Sequence, residues 1–296
     1  AAALGAKEVV FSGGEPMLWA GLLDAVAAAA TKGLATAVYT SGTADNTEER
    51  LRLLRSGGLD RVALSLFGAS AESHERVTRS RGSFEKTMRA LRMAVKAGYD
   101  TEIHFVPLAD NYRELAALAE RVVGEGVRRV RVLRLVPQGR GSLLRARVPT
   151  RMQYAQLKQM ILRLRDAGVD VDAGASWGPL MLEGKSCTTA LTKLVILPDL
   201  RVQPCDGFKW AKAEDVVGSL MLSSLRGSSL RDCWERSPFL SLVRAQLNSA
   251  HVEPCSSCQL LDRCRSGCLA QKTLARGALT GGPDPMCLVG EGGSMP

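Results

Sequence analysis

The first 186 residues of this 296-residue chain contain no cysteine, and all eight cysteines fall between Cys187 and Cys287. That asymmetry argues against a disulfide-stapled secreted framework. No apolar run reaches membrane-spanning length, so no spanning helix is expected. Aromatic residues make up only 5% of the chain, and none interrupts the arginines of the basic stretch Val127–Arg151. Binding of single-stranded nucleic acid, which uses stacking platforms, therefore has little support. The net charge of +9 is spread over many helical stretches. The arginines of the basic stretch read as a solvated rim pairing with carboxylates rather than as a polyanion site. An initiator methionine is also lacking, since the chain opens mid-pattern with "AAALGAKEVV". Missing targeting signals therefore say little about its compartment.

What is present in the first half is alternation. Apolar runs at Val9–Ser12, Thr36–Thr40, Arg61–Leu66, Thr101–Val106 and Arg129–Val136 read as strands. Amphipathic stretches such as "SFEKTMRALRMAVKAG" and "NYRELAALAERVVGEG" lie between them, each closed by glycine as helix C-termini favour. Ser83 and Asn111 stand where N-caps are expected. Strands joined by crossover helices pair in parallel, which predicts a barrel or an open α/β sheet. A further helix, Arg151–Gly168, closes this region. Beyond Gly178 the alternation fades into hairpin-like pieces and turns. We expect two domains, 1–178 and 179–296.

Two segments carry chemistry. In "VVFSGGEPML" a β-branched run ends in Gly13, Gly14, Glu15 and Pro16. Glycines let a ligand approach the backbone, and a carboxylate then sits where a strand meets a turn. In "CSSCQLLDRCRSGC" Cys255, Cys258, Cys264 and Cys268 follow C-x2-C-x5-C-x3-C, with Cys187 and Cys205 upstream and Cys287 downstream. Such spacing wraps one loop around a soft metal centre, and seven cysteines grouped two, four and one suit two centres. Iron–sulfur clusters, zinc and disulfides all remain open on spacing alone. Two Cys₄ zinc sites would need an eighth thiolate, and Cys233 lies in a helical stretch where a buried free cysteine is the common case.

These residues together resemble radical S-adenosylmethionine (SAM) proteins that carry a C-terminal SPASM domain. The SPASM pattern runs Cys, nine to fifteen residues, Gly, four residues, Cys, then C-x2-C-x5-C-x3-C and a last Cys. Here twelve residues separate Cys187 from Leu200 and four separate Leu200 from Cys205, so the one departure is Leu200 in place of glycine. The resemblance implies a partial (β/α)₆ TIM-like barrel followed by a small Cys-rich α+β domain. It implies that Gly13, Gly14, Glu15 and Pro16 form the SAM-binding turn, with Ser41 of "YTSG" and Ser65 of "LSLFG" as further SAM contacts. It implies one auxiliary [4Fe–4S] cluster on Cys255, Cys258, Cys264 and Cys287, and another on Cys187, Cys205 and Cys268. Asp206, next to Cys205, would be a catalytic base by the same carry-over, and a turn-capping Asp otherwise. The implied partners are a peptide or protein substrate and an electron donor, either a reductase or a flavodoxin- or ferredoxin-type protein. A reducing cytoplasm would suit the clusters.

The family's defining C-x3-C-x2-C loop, which binds the cluster that reduces SAM, is not in these 296 residues. Five strand–helix units are countable where the family has six, and the chain begins inside what reads as a helix. We therefore expect the first unit to be missing by truncation, and this polypeptide alone to be inactive. Two other classes remain: a non-catalytic iron–sulfur scaffold and a basic zinc protein that binds nucleic acid.

Overall fold

The computed structural model describes residues 1–279 and 282–287. The expected second domain, 179–296, thus ends outside the described residues. The chain forms two compact units, one of Ala1–Leu135 with Arg147–Asp172, the other of Val136–Ala146 with the chain from Ala173 onward. No helix among the described residues is long and apolar enough to cross a membrane.

In the first unit, strands β1 (Glu8–Phe11), β2 (Ala35–Thr40), β3 (Arg61–Ser65), β4 (Asp100–Phe105), β5 (Arg129–Val132) and β6 (Val171–Ala173) form one sheet in the order β1-β2-β3-β4-β5-β6. Its ladders from β1 to β5 are parallel. Helices α1 (Leu22–Thr31), α2 (Thr47–Ser56), α3 (Ala71–Thr78), α4 (Ser83–Lys96), α5 (Leu115–Gly124) and α6 (Arg151–Asp166) make the crossovers. Sequential order with no reversal is the order of a barrel; a doubly wound sheet reverses at a switch point. The barrel-type α/β expectation holds. One strand beyond the five expected is present, because three-residue β6 carries Asp172 and is too short to show a period.

Register explains why the two faces differ. Val38 pairs with Val62, Leu64 with Ile103, Ile103 with Val130, and Phe105 with Val132, all fully or nearly buried. Burying each such side chain stabilises by roughly 1.5–3 kcal/mol. Alternate positions put Tyr39, Arg61, Ser65, Glu102, His104 and Arg131 on the opposite face. The strand expected over Arg129–Val136 stops at Val132, and from Val136 the chain belongs to the second unit.

One capping expectation is corrected and the other holds in position only. Gly82, at φ 77°, caps α4, and Ser83 is its first residue, its hydroxyl 2.8 Å from Thr78 Oγ1. Asn111 does hold the N-cap position of a 3-10 turn, but its side chain makes no capping bond. Its Oδ1 accepts from Leu108 N at 2.6 Å and its Nδ2 donates to the carbonyls of Phe67 and Val106. It thereby ties the loops after β3 and β4 together. A cap absent from the sequence reading is the box on α6, where Thr150 and Gln153 satisfy each other's backbone N–H.

The second unit has little regular structure: α7 (Gly178–Met181), an antiparallel hairpin of β7 (Val195–Ile196) and β8 (Val202–Gln203), then α8 (Ala213–Val217), α9 (Leu230–Arg236), α10 (Pro238–Asn248), α11 (Leu261–Cys264) and α12 (Leu269–Arg276). A core of Val202, Phe208, Phe239, Leu240, Val243 and Leu269 holds it, with Cys233 buried inside. Leu200 sits in the hairpin turn at φ 68°, a left-handed conformation. There an L side chain costs about 1–2 kcal/mol, so the turn keeps the conformation for which the family's glycine is suited.

Candidate functional site

The turn after β1 is open on its glycine side. Gly13 has φ 100°, and a Cβ on either Gly13 or Gly14 would meet nothing within 4 Å. Glu15 follows in extended conformation and caps the 3-10 turn opened by buried Pro16, its Oε1 accepting from Met17 N at 3.1 Å. That carboxylate is held from β2 as well. Thr40 Oγ1 donates to Oε1 at 2.5 Å, and Ser41 donates to Oε2 through its N–H at 2.8 Å and through its hydroxyl. Ser65 ends β3, paired in register with His104. The structure thus ties Glu15 to Thr40 and Ser41 at the end of β2, with Gly13, Gly14 and Pro16 flanking it in the turn after β1. Ser65 shares their end of the parallel strands, where barrel active sites collect.

Sequence reasoning missed Thr40 as the partner of Glu15, and it missed a charged network on the same face as Ser65. His104 Nε2 lies 2.9 Å from Glu102 Oε1, and Arg131 and Arg61 approach Oε2 at 3.6 and 3.9 Å. Burial opposes ionisation of Glu102, but the His104 hydrogen bond and the two guanidinium groups outweigh it, and its carboxyl lies below the usual range. Tyr39 packs edge-on to the His104 ring, 4.6 Å away, and its hydroxyl is pushed up by burial first and then by Glu102. The signal was available: "DTEIHF" alternates, so Glu102 and His104 had to share a face. The basic stretch pairs with carboxylates, Arg129 with Asp170, Arg131 with Asp172 and Arg147 with Asp110.

In the second unit the cysteines are all free thiols and fall into sets. Cys255, Cys258, Cys264 and Cys287 line one cavity, together with Ser266 and Asp284. Cys268, though in the same loop as the first three, is not on that lining. It stands at the head of α12, where its N–H donates to Asp284 Oδ2 at 2.8 Å. Asp284 also accepts from Met286 N at 2.7 Å, which fixes the Cys287 loop to the Cys268 loop. Gly207, two residues after Cys205, packs close to the same helix: a Cβ there would lie 2.7 Å from Ala270 Cβ and 3.6 Å from Cys205 Sγ. Cys187 is pushed up by burial and then by Cys205. Cys264 is pushed up to about 11 by burial and then by Cys287. A bound metal centre would deprotonate such half-buried thiols. Cys233 lies apart, its Sγ 3.7 Å from the Ser224 carbonyl.

Asp206 is clamped. Lys193 Nζ lies 2.5 Å from Oδ2 and Lys209 Nζ 2.9 Å from Oδ1. Burial works against its charge, but the two ammonium groups overcome it and hold the carboxyl down at about 2. A carboxylate so held is a poor proton acceptor. Neither does its side chain cap a turn; Cys205 holds the cap position, and the Asp206 carbonyl accepts from Gln138 Nε2 at 2.9 Å.

A parallel sheet in barrel order, with a fixed carboxylate at its strand ends, defines a barrel-type α/β class of protein, here joined to a cysteine-rich unit. Comparison with known proteins names it. The Radical SAM superfamily profile matches residues 1–122. PqqA peptide cyclase of Methylocella silvestris is 30% identical over 295 residues, covering 97% of this chain and 76% of that protein. Mycofactocin maturase MftC of Mycobacterium ulcerans is 29% identical over 294 residues, covering 96% and 75%. The chain belongs to the radical SAM superfamily and groups with its maturases. Streptococcus suis SuiB, solved with its precursor peptide SuiA, shares the fold at TM-score 0.73 and 15% identity, over 95% of this chain. This chain spans 65% of the SuiB chain. The superfamily uses SAM and a [4Fe–4S] cluster.

Proposed function

We propose that this chain is the SAM-binding sheet and auxiliary-cluster region of a radical SAM maturase that modifies a peptide. The observation that carries this reading is the sorting of the cysteines. Cys255, Cys258, Cys264 and Cys287 line one cavity and Cys268 is not on that lining, which supports the grouping that the SPASM resemblance implies. Among the described residues, no three Cys, His, Asp or Glu side chains converge closely enough to hold one metal ion. Zinc would draw its sulfurs to about 2.3 Å of one point, whereas a cluster would spread them over several irons around a cavity, and metal counts on the loaded chain distinguish the two.

When bound, SAM and its reducing cluster supply a radical that removes hydrogen from substrate, and the auxiliary clusters accept an electron or hold substrate. This chain's residues do the following. Gly13 and Gly14 leave room for the methionyl part of SAM. Glu15, oriented by Thr40 and Ser41, accepts from its ammonium. Ser65 donates to its ribose or carboxylate, and Pro16 stiffens the turn. Cys187, Cys205 and Cys268 give the second cluster three thiolates. Asp206 acts as the charge partner of Lys193 and Lys209 in preference to a proton acceptor. A peptide substrate is drawn from relatives named as a peptide cyclase and as a maturase, and from SuiB solved with a precursor peptide. A flavodoxin- or ferredoxin-type donor in a reducing cytoplasm completes the proposal.

A second reading, resting on the cysteine spacing alone, is a cluster-holding chain without SAM cleavage. Binding of SAM to the chain separates the two, because only the first keeps a use for the Glu15 turn. The cluster assignment is tested by anaerobic reconstitution of two variants. Cys258→Ala is expected to lose about half the iron, and Cys233→Ala none. Equal losses would overturn the ligand sets.

A further inference from the structure

Lys272 is buried, with 4% of its surface exposed, although lysine is rarely buried without a partner. It belongs to α12, four residues after Cys268, whose carbonyl accepts from Lys272 N at 3.0 Å. The side chain runs inward. Its Nζ donates to Ser266 Oγ at 2.8 Å, and Ser266 Oγ lies 3.9 Å from Cys255 Sγ. Ser266 is itself 2% exposed and lines the cavity of Cys255, Cys258, Cys264 and Cys287. Asp284 and Arg276 also face the ammonium, one charge of each sign. The thiols of Cys255 and Cys268 also act on it electrostatically, and it acts in turn on Cys187. Cys255 belongs to one set, whereas Cys268 and Cys187 belong to the other.

A buried ammonium between two anionic centres has a calculable consequence. Each cluster carries net negative charge with its thiolates, and one-electron reduction adds another unit. In a low-dielectric interior a fixed cation stabilises the more negative state, and so raises the reduction potential. The hydrogen bond relayed through Ser266 to Cys255 acts in the same direction on its cluster.

We infer that Lys272 is a positioning residue that sets the reduction potentials of both auxiliary clusters, through its charge between the two cysteine sets and through Ser266 to Cys255. This rests on the cluster reading above. It concerns each cluster's one-electron couple, with the electron supplied by an external reductant.

The test is an EPR-monitored redox titration of the full chain after anaerobic reconstitution, with iron counted on every sample. All cysteines of the chain lie at Cys187 or beyond, so every cluster signal arises from these two sets. K272M is expected to bind the wild-type amount of iron and to shift both couples to lower potential, and K272R to restore them. S266A is expected to lower mainly the couple of the Cys255 set. Wild-type iron with unmoved potentials in K272M would overturn the inference while leaving the clusters in place. If neither Lys272 variant assembles, S266A decides: a lowered potential supports the role and an unchanged one rejects it. Wild-type chain that takes up no iron would instead reject the cluster reading itself.

Discussion

The two units solve the problem of holding a site in opposite ways. In the first, parallel ladders and rows such as Val38–Val62 and Leu64–Ile103 fix the strands, and the site is a by-product of where they end. Glu15 is held by Thr40, Ser41 and Met17 with no ligand needed to orient it. In the second, regular structure is scant, a hairpin of two two-residue strands and mostly short helices, and four thiols rim one cavity, of which Cys264 is pushed toward its protonated form by burial and then by Cys287. A site built on a sheet is preorganised by the fold. A site built from cysteine loops lends its binding energy to the fold.

The contrast is tested most severely by stripping metal. A chelator added under reducing, anaerobic conditions is expected to abolish the unfolding transition of the second unit while that of the first persists. Tryptophan fluorescence alone reports both units, because Trp19 belongs to the first and Trp177, Trp210 and Trp234 to the second. Far-UV circular dichroism of the parallel sheet and its helices adds a separate check. Simultaneous loss of both transitions would break the comparison.

A smaller effect belongs to the first unit alone. His74 is 1% exposed, packed between Phe67 and Phe84, and its Nδ1 accepts from Phe67 N at 3.2 Å. Burial lowers its pKa to about 4, with Glu75 opposing. The unfolded chain therefore binds a proton that the folded one excludes. Stability from this group is complete above about pH 6.5 and is lost as pH falls toward 4, by about 3 kcal/mol in all. Denaturant unfolding across that window measures it, and H74N, which keeps an acceptor for Phe67 N, is expected to flatten the slope. An unchanged slope in H74N would assign the effect to other groups.

The smallest effect sharpens the account of the second unit. Leu200, 41% exposed at φ 68°, makes little use of its side chain while bearing a left-handed backbone. L200G is expected to stabilise by about 1 kcal/mol or slightly less, since glycine also gains freedom in the unfolded chain. Destabilisation would show that the Leu200 side chain has a role in packing.

What was legible in the sequence was local. "GGEP" and C-x2-C-x5-C-x3-C are written in adjacent residues, and the alternation of strands and helices survives any tertiary detail. What was not legible depends on register or on distant partners. Thr40 meets Glu15 across 25 residues, which only the β1–β2 pairing brings about. Strand β6 is too short to show a period. Asn111 looked like a cap because its type suits one, but three backbone partners from neighbouring loops compete for its amide. Lys272 reads as an ordinary helix lysine until the fold turns α12 toward the thiols. Leu200 looked like a defect in the pattern, and its backbone shows the pattern kept.

The central claim is that the cysteines of the second unit form two sets, each around its own iron–sulfur cluster. Native mass spectrometry of the anaerobically reconstituted chain, read beside Cys187→Ser and Cys255→Ser variants, tests it most directly. The account predicts a mass gain of about eight iron and eight sulfide in wild type and about four of each in either variant. Zinc in place of iron, a mass loss from paired sulfurs, or full loss of iron from a single substitution would contradict it.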